Sequence, residues 1–165
     1  MKQRGFTYLW TLLLVVLIGV GLAAQAEIIS TAERREREQM LLFIGNEFRR
    51  AIGSYYQQTP GQAKQFPPSL DALLRDERFP DLRRHLRRIY PDPMTGKAEW
   101  GLVIVGERIV GVHSLSDARP IKTGNFEPDD AALANAESYA KWIFSYVPPP
   151  PPPAAPQRPP NRSAG

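Results

Sequence analysis

Met1-Lys2-Gln3-Arg4-Gly5 runs directly into Phe6-Thr7-Tyr8-Leu9 and an apolar stretch that ends at Ala24-Gln25-Ala26. How this stretch is read decides the fold. Lys2 and Arg4 make the first five residues a short basic leader. Residues 6–26 then give 21 positions without one charged side chain. As a helix they extend about 30 Å, the thickness of a bilayer's hydrocarbon core. The positive-inside bias puts the N-terminus in the cytoplasm and the rest of the chain in the opposite compartment. A shorter reading competes. Ala24-Gln25-Ala26 has the small-x-small form of a signal-peptidase site. Release before Glu27 would leave a soluble periplasmic binding or scaffold protein. Against it stands the length of the apolar run, since an ordinary signal core has roughly 7 to 15 residues. An uncleaved anchor is the third possibility.

Beyond Ala26 the helical pattern continues without a proline to about Gln58. Glu33 with Arg37 and Arg34 with Glu38 are opposite charges four apart, a spacing that supports a helix. Leu41, Ile44, Phe48, Ala51, Ile52 and Tyr55 recur on one face. The N-terminal helix is thus expected to be membrane-embedded in its first half and amphipathic in its second, some 80 Å in all. Gly19 and Gly21 are weak helix formers in the first half. Thr59-Pro60-Gly61 ends it. Leu70 to Leu74 is expected as a short second helix with Ser69 as its cap. Ala98–Val105 and Arg108–His113 read as strands, with Gly106-Glu107 as a tight hairpin turn. A last helix is expected from Pro128 to Tyr146, with Leu133, Ala136, Tyr139, Ala140, Ile143 and Val147 as its apolar stripe. Pro148 to Pro153 opens a tail without the composition of a core.

The expected organisation is therefore a leader (1–5), the membrane half of the helix (6–26), its amphipathic half (27–58), a small α+β domain (59–147) and a Pro-rich tail (148–165). The fold class is α+β, with a long N-terminal helix packed on a small antiparallel sheet.

Composition narrows the chemistry. With no Cys there is no disulfide and no thiolate metal site. Two His without Cys do not indicate a zinc site. His113, Ser114, Ser116 and Asp117 are the residue types of a hydrolytic triad. A triad is a spatial arrangement, however, and neighbours along a strand point to opposite faces, so the chain does not read as an enzyme. Gly96-Lys97 is no P-loop, because Pro91 stands where the first glycine is required. The net charge of +4, from 21 Lys and Arg against 17 Asp and Glu, is mixed along the chain. Arg83-Arg84-His85-Leu86-Arg87-Arg88 is the sharpest charge feature. It reads as a solvated face whose Leu82, Leu86 and Ile89 touch the core, as a contact with acidic residues of another subunit, or as a site for phosphates of nucleic acid or lipid. A domain outside the cytoplasm makes nucleic acid an unexpected partner.

Arg4-Gly5-Phe6-Thr7, between a basic leader and a full-length apolar helix, resembles the processing site of type IV prepilins, which the pseudopilins of type II secretion share. The resemblance implies cleavage between Gly5 and Phe6 by a prepilin peptidase, N-methylation of Phe6, and a pilin-like fold. It continues in the domain. Pro67-Pro68-Ser69-Leu70-Asp71-Ala72-Leu73-Leu74 is similar to the short helix after the spine in major-type pseudopilins. Ile89-Tyr90-Pro91-Asp92-Pro93-Met94-Thr95-Gly96 resembles their Pro-x-Asp-Pro-x-x-Gly loop. Val112-His113-Ser114-Leu115-Ser116-Asp117 resembles the end of their second strand, with Ser116 and Ala118 where the family has glycines. Trp10 stands at the fifth mature position, where the family carries Glu.

The resemblance implies a structural subunit of a type II secretion or related type IV pilus-like filament, which supports protein export. It implies a single pass through the bacterial inner membrane with the domain in the periplasm. The implied partners are other pseudopilins or pilins, the prepilin peptidase, the inner-membrane assembly platform and membrane lipid. Trp10 removes the carboxylate expected to meet a neighbour's N-terminal ammonium, which points to a minor or divergent role. The family's loop after the second strand can bind calcium, a hard ion that takes six to eight oxygens. The candidates here are Leu115, Ser116, Asp117, Asp129 and Asp130. The alternative is that Asp117 caps a turn and that Asp129 and Asp130 sit in the first turn of a helix.

Overall fold

A computed structural model describes residues 4–150, with side chains described at 8–18 and 31–150. The first three residues of the expected leader and the tail beyond Pro150 lie outside the described residues, as do the side chains of Gly5 and Phe6. The structure is α+β. A helix α1 (Arg4–Gln57) is followed by α2 (Asp71–Leu74), β1 (Gly101–Val105), β2 (Arg108–His113), two 3₁₀ turns (Pro128–Leu133 and Tyr139–Lys141) and β3 (Phe144–Ser145). The three strands form one antiparallel sheet in the order β1-β2-β3.

The 54 residues of α1 form one uninterrupted helix, about 80 Å long. Its packed face is the expected one: Leu41, Ile44, Phe48, Ala51, Ile52 and Tyr55 are all 5 % exposed or less. They meet Trp100, Ile109, Val112, Leu133, Tyr139, Trp142 and Phe144 in a single core. The end of α1 is closed from a distance. No basic residue lies in its last turn, so cations from later in the chain reach the free carbonyls. Lys64 Nζ donates to Gln57 O at 2.8 Å, and Arg78 Nη2 donates to Tyr55 O at 2.9 Å.

The hairpin follows its turn chemistry. Gly106 and Glu107 have φ of +54° and +65°, and Val105 pairs with Arg108 across them. Positive φ at both central residues is the I′ geometry that matches the twist of the flanking strands. Leu70, not the expected Ser69, is the N-cap of α2, while Ser69 Oγ, one residue earlier, accepts from Ala72 N at 3.3 Å.

The expected helix over Pro128–Tyr146 does not form. Two 3₁₀ turns replace it, and its last residues become β3. Ala134 and Ser138 are extended, and Asn135 has φ of +56°. These breaks bury Tyr139, Trp142 and Phe144, whereas Ile143 and Val147 of the expected stripe are 43 % and 78 % exposed. Burying three aromatic rings against α1 and β2 outweighs the local helical preference.

That packing needs glycine on α1. A Cβ on Gly45 would overlap the Phe144 ring, and one on Gly53 would lie 2.7 Å from Tyr146. Gly45→Val is expected to cost about 2–3 kcal/mol in urea unfolding of the full chain, through overpacking. Gly124→Ala, at a site with nothing within 4 Å, is the control and should leave the midpoint in place.

Candidate functional site

Two sides of α1 differ in what they touch. One side carries the domain. The other is bare, and much of it is apolar. From Tyr8 to Ile18 every apolar side chain is between 48 % and 70 % exposed, including Trp10 at 57 %. Met40 and Phe43 repeat this further along, 51 % and 54 % exposed on the side away from the core. Exposed apolar surface of this extent marks a contact with another protein or with lipid. Among the described residues no helix is long and apolar enough to cross a membrane. The stretch expected to do so, 6–26, has its side chains at 6–7 and 19–26 outside the described ones.

Four polar side chains of α1 hold the segment that follows β2. Arg34 Nη2 donates to Arg119 O at 2.6 Å. Glu38 is 3 % exposed, and its Oε1 accepts from Ile121 N at 2.6 Å, Lys122 N at 3.1 Å and the Tyr139 hydroxyl at 2.9 Å. Asn46 and Arg49 both donate to Asp130, each at 2.8 Å. Burial and then the Glu38 hydrogen bond push the Tyr139 hydroxyl up to about 12. Glu33 does pair with Arg37, at 3.4 Å. Glu38 meets backbone amides as well as a side chain. A signal for this was present, because Glu38 falls three residues before Leu41 on the apolar face.

The calcium candidates differ in what they already touch. The Asp130 carboxylate is occupied by Arg49 and Asn46, the Ser116 carbonyl accepts from Ala140 N at 3.0 Å, and Leu115, Asp117 and Asp129 are exposed. Among the described residues no three His, Cys, Asp or Glu side chains converge as a metal site.

The two loop motifs singled out in the sequence do come together. Asp92 is fully buried, and its carboxylate accepts from Met94 N at 2.9 Å, Thr95 Oγ1 at 3.2 Å and Ser114 Oγ at 2.7 Å. Trp100 Nε1 donates to Tyr90 O at 2.8 Å. Asp92 thus closes its own loop and ties it to the end of β2. Ser114 donates to Asp92, while His113 Nδ1 lies 2.8 Å from Ser114 O, so the residues 113–117 form no relay.

A hydroxyl–imidazole–carboxylate chain exists elsewhere, from residues the sequence did not link. Ser54 Oγ lies 2.9 Å from His85 Nδ1, and His85 Nε2 lies 3.1 Å from Asp76 Oδ2. Arg78 binds Asp76 through Nε at 2.7 Å and Nη2 at 2.6 Å, and its guanidinium lies 3.5 Å from the Tyr55 ring centroid. Burial alone would raise the Asp76 carboxyl. The hydrogen bonds from Arg78 and His85 outweigh it and hold the group down at about 2. Burial, opposed by the Arg78 charge, also raises the Tyr55 hydroxyl. Ser54 is engaged a second time by Gln58 Nε2 at 3.1 Å. The imidazole side chain is 2 % exposed and the carboxylate fully buried. The arrangement therefore does positional work: it fastens residues 76–86 to the end of α1.

This also settles how the basic run lies. His85 and Leu86 turn inward, both donating to Leu73 O, and Ile89 packs on the core. Leu82, expected at the core, is instead 61 % exposed. Arg84, Arg87 and Arg88 face solvent. Compared with known proteins, the chain matches no family model, no curated protein and no solved structure.

Proposed function

We propose that the chain is a pilin-like structural subunit, a pseudopilin of a type II secretion or related type IV pilus-like filament, and that it does no catalysis. One observation carries the reading. A single 54-residue helix bears a small domain on one side of its second half and leaves apolar surface bare along the other. Such a helix has two partners to satisfy, lipid along residues 6–26 and neighbouring helices along the Met40–Phe43 side. Residues 6–26 store the subunit in the inner membrane, with the domain in the periplasm, and pack among other pseudopilins or pilins on assembly. The prepilin peptidase and the inner-membrane assembly platform act on it from the membrane. Trp10 brings no carboxylate to the filament interior, which suits a subunit present in few copies.

The mass and N-terminal sequence of the mature protein test this. A chain beginning at Phe6, with or without a methyl group, is the expected result. A chain beginning at Glu27 would assign it to the soluble periplasmic class.

A further inference from the structure

A cleft of about 260 Å³ opens at the base of the domain, lined by Arg35, Glu38, Gln39, Leu42, Ile121 and Lys122. Arg35 and Lys122 line the cleft, and Arg34 and Arg119 belong to the two segments that meet beside it, with Arg34 held by the Arg119 backbone carbonyl at 2.6 Å. The one carboxylate in the lining, Glu38, points its Oε1 at the Ile121 and Lys122 amides and at Tyr139. Glu33 is paired with Arg37, and Glu36 and Asp117 are exposed nearby. The four cations thus outnumber Glu36, Glu38 and Asp117, and Glu38 is turned inward away from solvent. Lys122 holds its ammonium 4.8 Å from the Phe126 ring centroid, and Arg35 and Arg119 face solvent.

Position along α1 says what such a cluster meets. Glu27 is the only charged residue between Arg4 and Glu33, so Arg34 and Arg35 are the first cations beyond the apolar run. Arg34 and Arg35 follow Ala26 by eight and nine residues, about 12 to 14 Å along the helix, which is within roughly a Debye length of the headgroup region. The Arg83–Arg88 run is different. Arg83 binds Gln58 and His85 binds Ser54, some 30 Å further along the helix, beyond the reach of a bilayer surface.

We propose that the base of the domain, with Arg34, Arg35, Arg119 and Lys122 around the cleft, seats the phosphate of anionic phospholipid headgroups and holds the domain down on the membrane. This rests on the membrane-anchored reading given above. The seat fixes the height and tilt of the domain before assembly, and it must be released when the subunit leaves the bilayer. Basic residues at a membrane surface each contribute about a fivefold gain in association with anionic lipid, lost as salt rises.

The chain has no Cys, and Ala118 is exposed, so Ala118→Cys gives one site for a nitroxide label. The labelled full chain is placed in phosphatidylcholine nanodiscs with or without phosphatidylglycerol, and contact with a headgroup-bound nickel chelate is measured. Contact is expected to rise in the anionic discs and to fall in high salt. It should fall about fivefold for each of Arg35→Gln and Lys122→Gln. Arg84→Gln with Arg87→Gln should leave it unchanged. Equal contact in the two kinds of disc, or equal loss from the Arg84 and Arg87 changes, would overturn the seat while leaving the anchor intact. A chain that enters neither disc would overturn the anchor and the seat together.

Discussion

Asp76→Ala is expected to lower stability by about 3 kcal/mol, a large share of the roughly 5–15 kcal/mol a single domain usually holds. The carboxylate is fully buried and takes four hydrogen bonds, from Arg78 N, Nε and Nη2 and from His85 Nε2. Removing it leaves a guanidinium that is 20 % exposed without its anion, and an imidazole with one partner gone. Arg78 also loses the group that aims it at Tyr55 O and Thr59 Oγ1, so the end of α1 loosens with it. Urea unfolding of the full chain in detergent, followed through Trp100 and Trp142, measures the loss. The pH dependence separates charge from shape. A carboxyl whose pKa falls from 3.8 to about 2 on folding adds stability above pH 3.8 that disappears as pH falls towards 2. That amounts to about 2 kcal/mol, and Asp76→Asn should flatten this part of the profile. An Asp76→Asn chain that keeps the full acid dependence would show that other carboxylates account for it.

On the prepilin reading proposed above, Gly5→Leu is expected to stop maturation. The backbone of α1 begins at Arg4, so a peptidase that reads an extended chain must open the first turn. Glycine favours that opening, because it is about 1 kcal/mol poorer in a helix than alanine and presents no side chain at the cut. Leucine does the reverse on both counts. The variant should accumulate as a precursor that keeps its whole leader from Met1 onward and carries no methyl group on Phe6, read by intact mass from membranes. Normal processing of the variant, or the same product beginning at Glu27 from both chains, would remove the prepilin reading.

Much of the fold could be read from local pattern, and the failures share one cause. The apolar face from Leu41 to Tyr55 has a 3.6 period, and Gly106-Glu107 carries its own turn geometry, so both were legible. The helix expected over Pro128–Tyr146 had a period too. It was overridden because Phe144 finds a slot over Gly45 and pairs with Val112, contacts no local window contains. The polar anchors were hidden in the same way. Ser54, Asp76, Arg78 and His85 lie up to 31 positions apart, and inside a run of arginines His85 looks like surface. Asp92 and Ser114 each stood in a motif, but only the fold shows that one closes the other.

Glu38 has a consequence for the order in which the protein is completed. Its donors lie 83, 84 and 101 positions later in the chain. Closing a loop of that length costs about 2 kcal/mol more than closing one of roughly ten residues, and it has to wait until Tyr139 has been synthesised. Until then α1 carries an uncovered apolar stripe with a bare carboxylate beside it, which is the surface that proteases and holding factors bind. A copy cut short before Tyr139 keeps that surface permanently. The segment from Ile121 to Phe144 is thus the last piece of the domain to cover α1.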